Sequence, residues 1–187
     1  RILKKGEWGD EYLGDGVAGQ TIFWAGEKIG FGWYEASCLR EGFIFDLSSN
    51  RVNDNLKIPI PKGEAVDSTA VISSERIWFF LTVSTGGKIL HYGWAIRPDG
   101  TIEGEAFAER GDGSWLSEIR GKCAIGKFLL AATDEGIVRL ETDLGKIVKT
   151  KEFPDTEPFV SAESHLFSGK DGLYAVDEKE IKLLKMI

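Results

Sequence analysis

Cysteine, histidine and methionine are scarce in this chain of 187 residues, which contains two Cys, two His and one Met. Cys38 and Cys123 lie far apart in the sequence, so they can form one disulfide at most and not a disulfide framework. We expect both to be small buried side chains, as free cysteines commonly are. His91 and His165 lie in no cluster with the spacing of metal ligands, so the sequence predicts neither a metal site nor a cofactor.

Long apolar segments are also missing from the sequence. No run approaches the roughly 18 apolar residues that a membrane-spanning helix needs, and no basic start followed by an apolar core marks a signal peptide. The chain begins with Arg1 rather than Met, so we expect a processed product, a domain or a fragment. These features predict no membrane partner and leave the cellular location open, with the cytoplasm slightly favoured.

Positive charge is in deficit. The chain has 30 acidic and 23 basic residues, which gives a formal net charge of −7. The basic residues are scattered, and Lys4 and Lys5 form the only adjacent basic pair. Because such a surface repels phosphate backbones, we expect no nucleic-acid partner.

Aromatic residues and glycine are abundant, with 11 Phe, 6 Trp, 4 Tyr and 23 Gly. Aromatic side chains dominate the burial of apolar surface, and glycine permits tight turns. The combination predicts an all-β chain of aromatic strands separated by glycine turns.

A basic residue or histidine opens a strongly apolar strand at four places along the chain. The four positions are Lys28, Arg76, Lys127 and His165, and their spacings are 76 − 28 = 48, 127 − 76 = 51 and 165 − 127 = 38. A propeller blade of four strands takes about 40–50 residues. A glycine turn and a second apolar strand follow each position, beginning near Gly42, Gly86, Gly136 and Gly172. The pattern predicts four repeats of one supersecondary unit.

The strands within a repeat differ in polarity. Residues 77–81 and 128–132 are apolar on both faces, which is typical of a strand covered on both sides. Residues 101–107 and 146–151 are more polar and partly alternating, which is typical of a solvated edge. We therefore expect sheets stacked between other sheets, with the last strand of each repeat outermost. The stretch after residue 179 is expected to form a strand rather than a helix, by analogy with the other repeats.

One segment carries a specific resemblance, namely His165-Leu166-Phe167-Ser168-Gly169-Lys170-Asp171-Gly172-Leu173-Tyr174-Ala175-Val176-Asp177. It resembles the blades of quinoprotein-like and WD40-like β-propellers, with a strand, an Asp-Gly turn and a Leu-Tyr-Ala-aliphatic-Asp strand. No repeat carries the Trp-Asp ending of WD40 blades, and the tryptophan docking motif of quinoproteins is not evident. The resemblance therefore implies the fold and neither a quinone cofactor nor an enzymatic class.

We therefore expect a single domain over residues 1–187, an all-β propeller of about four four-stranded antiparallel blades. The expected repeats are 17–63, 67–110, 118–154 and 158–187, after a lead-in strand and loop over 1–16. The lead-in fits the outer strand of a preceding blade, so we expect the C-terminal part of a larger propeller. Alternatively, residues 1–8 pair with the last blade and close a small ring.

Four residues are candidates for contact with a ligand or partner. Trp115 lies in a polar loop beside Asp112, where an aromatic side chain is suited to bind a sugar or a protein. His91 and Tyr92 lie together in an apolar strand, where a place in the core is the simpler interpretation. No catalytic constellation is evident. The first functional hypothesis is a non-enzymatic scaffold that binds a protein partner or a missing part of the same propeller. The alternatives are a glycan-binding module and a fragment of a propeller-fold hydrolase or lyase.

Overall fold

The computed structural model describes residues 20–36, 39–53, 56–109, 121–133, 135–156, 160, 164–169, 172–177 and 181–184. These residues form fifteen β-strands and one turn of 3-10 helix, Pro154–Thr156. The predicted all-β class is therefore confirmed. Among the described residues there is no helix long and apolar enough to cross a membrane.

The strands fall into four consecutive up-and-down groups. The first sheet contains β1 (Gln20–Ala25), β2 (Ile29–Ala36), β3 (Leu39–Asp46) and β4 (Arg51–Asn53). The second meander contains β5 (Glu64–Ile72), β6 (Ile77–Thr85), β7 (Lys88–Ile96) and β8 (Ile102–Glu109). The third meander contains β9 (Lys122–Ile125), β10 (Phe128–Thr133), β11 (Gly136–Asp143) and β12 (Gly145–Phe153). The last sheet contains β13 (His165–Gly169), β14 (Gly172–Val176) and β15 (Ile181–Leu184).

Neighbouring strands within each group are antiparallel, but the second and third meanders are joined through a parallel pair. Gly145 and Lys146 of β12 pair with Gly104 and Glu105 of β8. The result is one mixed eight-stranded sheet with the order β5-β6-β7-β8-β12-β11-β10-β9. Its two edge strands, β5 and β9, approach each other, so this sheet is nearly closed and barrel-like.

Glycine makes the close pairing of β8 with β12, called the joint below, possible. A Cβ atom on Gly104 would lie 2.7 Å from Cγ2 of Thr142 and 3.1 Å from the backbone of Lys146. Such a distance is shorter than a carbon–carbon contact allows, so only glycine permits β8 to approach β12 this closely.

The four groups pack face to face as layers with three apolar cores between them. Side chains alternate between the two faces of β6, so the second meander contributes to two cores. Phe79 faces the first sheet and Trp78 faces the third meander. The first core holds, among others, Phe31, Trp33, Ile44, Ile77, Phe79, Leu81, Val83 and Trp94. The second holds Trp78, Phe80, Ala95, Ala108, Leu129, Ala131, Val138, Leu140 and Ile147. The third holds Cys123, Leu130, Ala132, Ile137, Val160, Leu166, Leu173, Ala175 and Leu184.

Several predicted strand positions are present in this arrangement. Lys28, Arg76 and Lys127 directly precede β2, β6 and β10, and His165 opens β13. The expected strand near the end of the chain is β15. The lead-in over residues 1–16 lies outside the described residues, as does Cys38. Cys123 is a buried free thiol, as predicted, and burial raises its pKa.

The expectation of four separate four-stranded blades needs correction. The middle two repeats share one mixed sheet, because the parallel pairing of β8 with β12 crosses the boundary between them. The last repeat has three strands among its described residues. The sequence pattern did not predict this pairing between repeats.

Two tight turns are held by short side chains and by positive φ angles. Asn50 and Leu144 have φ of 56° and 47°, in the turns that lead into β4 and β12. The hydroxyl and N–H groups of Ser48 and Ser49 donate to the Asp46 carboxylate and hold its pKa below the usual range. These turns fix the hairpins on which the exposed side chains are placed.

Candidate functional site

His91 and Tyr92, which the sequence analysis named together, do not form one site. They are successive residues of β7, and successive side chains of a strand point to opposite faces. His91 pairs with Thr82 on the face that turns towards the third meander, whereas Tyr92 pairs with Leu81 on the face of the first core. Trp115 and Asp112, the other two candidates, lie outside the described residues.

On the Tyr92 face, an aromatic row leads from the core to the surface. The rings of Phe79 and Trp94 stack at 5.7 Å between centroids, and Trp94 stacks on Tyr92 at 5.8 Å. Tyr92 in turn contacts Phe107 of β8 at 5.1 Å. Phe107 is 59% exposed. Phe107 is therefore an exposed apolar side chain that packs on a row of buried and partly buried rings.

Phe107 is exposed because it lies on β8, the strand of the second meander that is farthest from β5. The first sheet packs on the second meander mainly through β5, β6 and β7, and Phe107 lies on β8. Glu105 and Glu109 share its face of β8, since alternate residues of a strand point the same way. The Glu109 carboxylate pairs with the Lys88 ammonium at 2.8 Å.

We call Tyr92, Phe107, Glu105, Glu109 and Lys88 the outer aromatic patch. Partial burial raises the pKa of the Tyr92 phenol, and a tyrosine is a hydrogen-bond donor at neutral pH. The patch combines apolar ring surface, carboxylates and one ammonium group. These groups suit either a protein surface or a sugar.

On the opposite face of β7, His91 belongs to a polar group formed by residues of the second and third meanders. Thr82 Oγ1 lies 3.2 Å from His91 Nδ1, and Asp67 pairs with Thr82 on the neighbouring strand. From the third meander, the Lys122 ammonium lies 5.4 Å from the centroid of the Phe80 ring. We call Asp67, Thr82, His91 and Lys122 the inner polar group.

Lys122 is the most perturbed base of this group. Burial between the sheets lowers its pKa from 10.5 to about 8, and the nearby Asp67 carboxylate opposes that change. A lysine of this kind carries a neutral amine in a small fraction of molecules at neutral pH. No group of three or more His, Cys, Asp or Glu that could hold a metal is present among the described residues.

A third polar cluster joins the middle meanders and has a structural role. Arg76 is buried, and its guanidinium donates to the carbonyl of Lys127 at 3.0 Å and to Thr142 Oγ1 at 3.2 Å. It also pairs with Glu103 of β8. Lys127 occupies the same place in its repeat as Arg76, so this contact links equivalent points of successive repeats.

No protein-family model, curated protein or solved structure matches this chain. The candidate sites therefore depend on the geometry alone.

Of the residues in the two sites, the sequence analysis named only His91 and Tyr92, and Phe107 and Lys122 are the most important of those that it missed. Phe107 is the one aromatic residue in the polar stretch 101–109, and that contrast is a usable signal. Lys122 carries no comparable signal, because its burial follows from the packing of the third meander against the second.

Proposed function

We propose that this chain is a β-propeller-type, non-enzymatic scaffold that binds a protein partner through the outer aromatic patch. The observation that supports this most is Phe107, which is 59% exposed at the end of a row of stacked rings. Exposed aromatic residues held rigidly lose little entropy on binding and commonly dominate the energy of an interface. Glu105 and Glu109 beside it favour a partner with basic residues at the rim of the contact.

The packing of the layers supports a propeller-type fold. Each group is an up-and-down meander, and consecutive groups stack face to face around separate apolar cores. The outer strands β8 and β12 are paired instead of fanning apart. On this proposal the pairing clamps two neighbouring blades together at their rim.

Affinity purification with matched variants tests the scaffold function. Wild type, Phe107→Ala and Ile125→Ala serve as baits, since Ile125 is an exposed aliphatic residue on β9, away from the patch. We expect one protein to bind wild type and Ile125→Ala equally and to bind Phe107→Ala at least about tenfold more weakly, a loss typical of an interface hot spot. A partner that ignores the Phe107 substitution, or no partner at all, refutes the proposal.

Carbohydrate binding is a second candidate, favoured by the carboxylates that flank the exposed ring. Sugars stack on aromatic faces and donate hydroxyl hydrogen bonds to carboxylates such as Glu105. A glycan array followed by titration of Phe107→Ala and Glu105→Gln tests this function. A sugar that binds wild type and neither variant supports it, whereas an array without signal rules it out.

A further inference from the structure

The interior of the eight-stranded, barrel-like sheet has one closed end and one polar end. Arg76, just before β6, and Trp78, Phe80 and Thr82 of β6 alternate towards this interior in that order. Arg76 closes the first end through its hydrogen bonds to the third meander. Thr82 and the rest of the inner polar group lie at the other end, which we call the polar end.

The polar end brings an amine, a carboxylate and a hydroxyl–imidazole pair together. Asp67, Thr82 and His91 occupy paired positions on β5, β6 and β7, so their side chains form a row on one face. Lys122 approaches this row from the third meander. Its ammonium lies 5.4 Å from the centroid of the Phe80 ring, which neighbours Thr82 on the same face of β6.

The polar end opens to solvent at a β-bulge in β5. The pairing of β5 with β6 shifts between Ala65 and Asp67, so Val66 is the extra residue, and it is 59% exposed. Asp67 is exposed as well, and Lys122 is only partly buried. Bulges redirect side chains and are common beside active sites. A small molecule can therefore reach Lys122 from the solvent.

We propose that the polar end binds a small, uncharged aldehyde and holds it as an imine on Lys122. The Phe80 ring and Ala131, which pairs with Lys122, provide apolar surface for the carbon chain of the aldehyde. The Thr82 hydroxyl is placed to donate to the carbonyl oxygen. This site is separate from the outer aromatic patch, because the patch lies on the opposite face of β7.

Imine formation at this site needs no group beyond those present. The Lys122 ammonium passes a proton to the Asp67 carboxylate, and the neutral amine attacks the carbonyl carbon to form a C–N bond. A proton moves from this nitrogen to the oxygen and gives a carbinolamine. Asp67 then returns its proton to the hydroxyl, which leaves as water while the nitrogen lone pair forms the C=N bond. One aldehyde and one ammonium become one protonated imine and one water, and the Asp67 carboxylate again faces a cation.

The surroundings of Lys122 favour this reaction over the same reaction at a lysine in water. Burial between the sheets lowers the pKa of Lys122 to about 8, and the nearby Asp67 carboxylate opposes that change. About a tenth of the Lys122 side chains are therefore neutral at pH 7, against less than about a thousandth for a lysine in water. The neutral amine is the form that attacks a carbonyl group.

Reductive alkylation of the whole chain with butanal and sodium cyanoborohydride at pH 7 tests the site. The hydride converts an imine into a stable secondary amine, which peptide mass spectrometry locates. Lys149 is the internal control, since it also belongs to the third meander and its ammonium pairs with Glu152 at 2.5 Å. We expect Lys122 to react at least about tenfold faster than Lys149. Equal rates at the two lysines overturn the proposal.

Chain length and two matched variants separate a binding site from an amine that is merely reactive. The preference for butanal over acetaldehyde should be about tenfold larger at Lys122 than at Lys149, the factor expected for burying two methylene groups. Thr82→Val should slow the alkylation of Lys122 at least about threefold, whereas Thr85→Val, on the other face of β6, should not. Circular dichroism shows whether both variants keep the fold. The same chain-length preference at both lysines, or an unchanged rate in Thr82→Val, contradicts binding at the polar end. None of these results depends on Phe107.

Discussion

The second meander and the last sheet are built on the same up-and-down plan but differ in what covers them. Both faces of β6 are buried, with Phe79 in one core and Trp78 in another. In the last sheet, Leu173 is buried, whereas Phe167 and Ile181 on the opposite face are exposed. Strands that are apolar on both faces therefore occur in the second meander and in the last sheet. Only in the second meander do described layers cover both faces of such a strand. The apolar pattern shows that a face is suited for burial and does not show what buries it.

Removing one ring from each sheet gives the largest expected contrast. Phe79 is fully buried against Phe31, Trp33 and Trp94, so Phe79→Ala should lower the free energy of unfolding by about 3–5 kcal/mol. Phe167→Ala, on the exposed face of the last sheet, should cost less than about 1 kcal/mol. Urea denaturation of both variants measures the difference. Equal losses would mean that Phe167 is buried in the folded chain.

The inner polar group predicts a rise of stability with pH. The unfolded chain holds the Lys122 proton up to about pH 10.5, whereas the folded chain releases it near pH 8. Because the folded state then binds fewer protons, the free energy of unfolding rises between these values, by at most about 3 kcal/mol. Lys122→Met should therefore be more stable than wild type at pH 7, and its advantage should shrink towards pH 10.

The difference in stability between wild type and Lys122→Met isolates the effect of Lys122, because other groups oppose the rise of stability with pH. Burial raises the pKa of the Cys123 thiol and of the Tyr92 phenol, and both lower stability at alkaline pH. Lys122→Arg keeps a cation throughout and should lose the rise without gaining stability at pH 7. A difference curve between wild type and Lys122→Met that stays flat from pH 7 to 10 contradicts the burial of Lys122.

Arg76 and Lys28 hold the same repeat position with different surroundings. Arg76→Ala removes three contacts and leaves the Glu103 carboxylate without its main partner, so we expect a loss of about 2 kcal/mol. Lys28 is exposed, and Lys28→Ala should change stability by less than about 0.5 kcal/mol. Thermal denaturation distinguishes them. Similar midpoints for the two variants would show that Arg76 does not join the meanders.

The joint at Gly104 gives the smallest of these effects and the most specific one. Gly104→Ala places a Cβ against Thr142 Cγ2 and the backbone of Lys146 and should cost about 1–2 kcal/mol. Adding Thr142→Ser removes Cγ2 and keeps the hydroxyl that Arg76 uses, so it should restore part of the loss. Hydrogen exchange in β8 and β12 reports the opening of the joint. No rescue in the double variant would place the strain elsewhere.

Much of the fold follows from local features of the sequence. The positions of Lys28, Arg76 and Lys127 marked the start of the apolar strands, because each lies at a turn just before one. The stretch 77–81 is apolar at every position and is indeed covered on both sides. Such properties depend on a strand and its immediate neighbours, so the sequence pattern contains them.

The pairing of β8 with β12 and the two candidate sites depend on contacts between residues that are distant in the sequence. The pairing of Gly104 with Gly145 requires two glycines to meet across a repeat boundary. Nothing in the sequence around either glycine indicates this pairing. The separation of His91 from Tyr92 was foreseeable, since adjacent residues of any strand point to opposite faces. Lys122 was not foreseeable, because its environment is created by Phe80 and Asp67 of another meander.

Hydroxyl-radical footprinting of wild type at low concentration tests the central claim most directly, namely that β6 is buried on both faces while the last sheet exposes the face that carries Phe167 and Ile181. We predict protection of Trp78 and Phe79 and strong labelling of Phe107, Phe167 and Ile181. Labelling of Trp78 or Phe79 at the rate of Phe107, or protection of Phe167 and Ile181 in the monomer, would contradict the stacked-layer account.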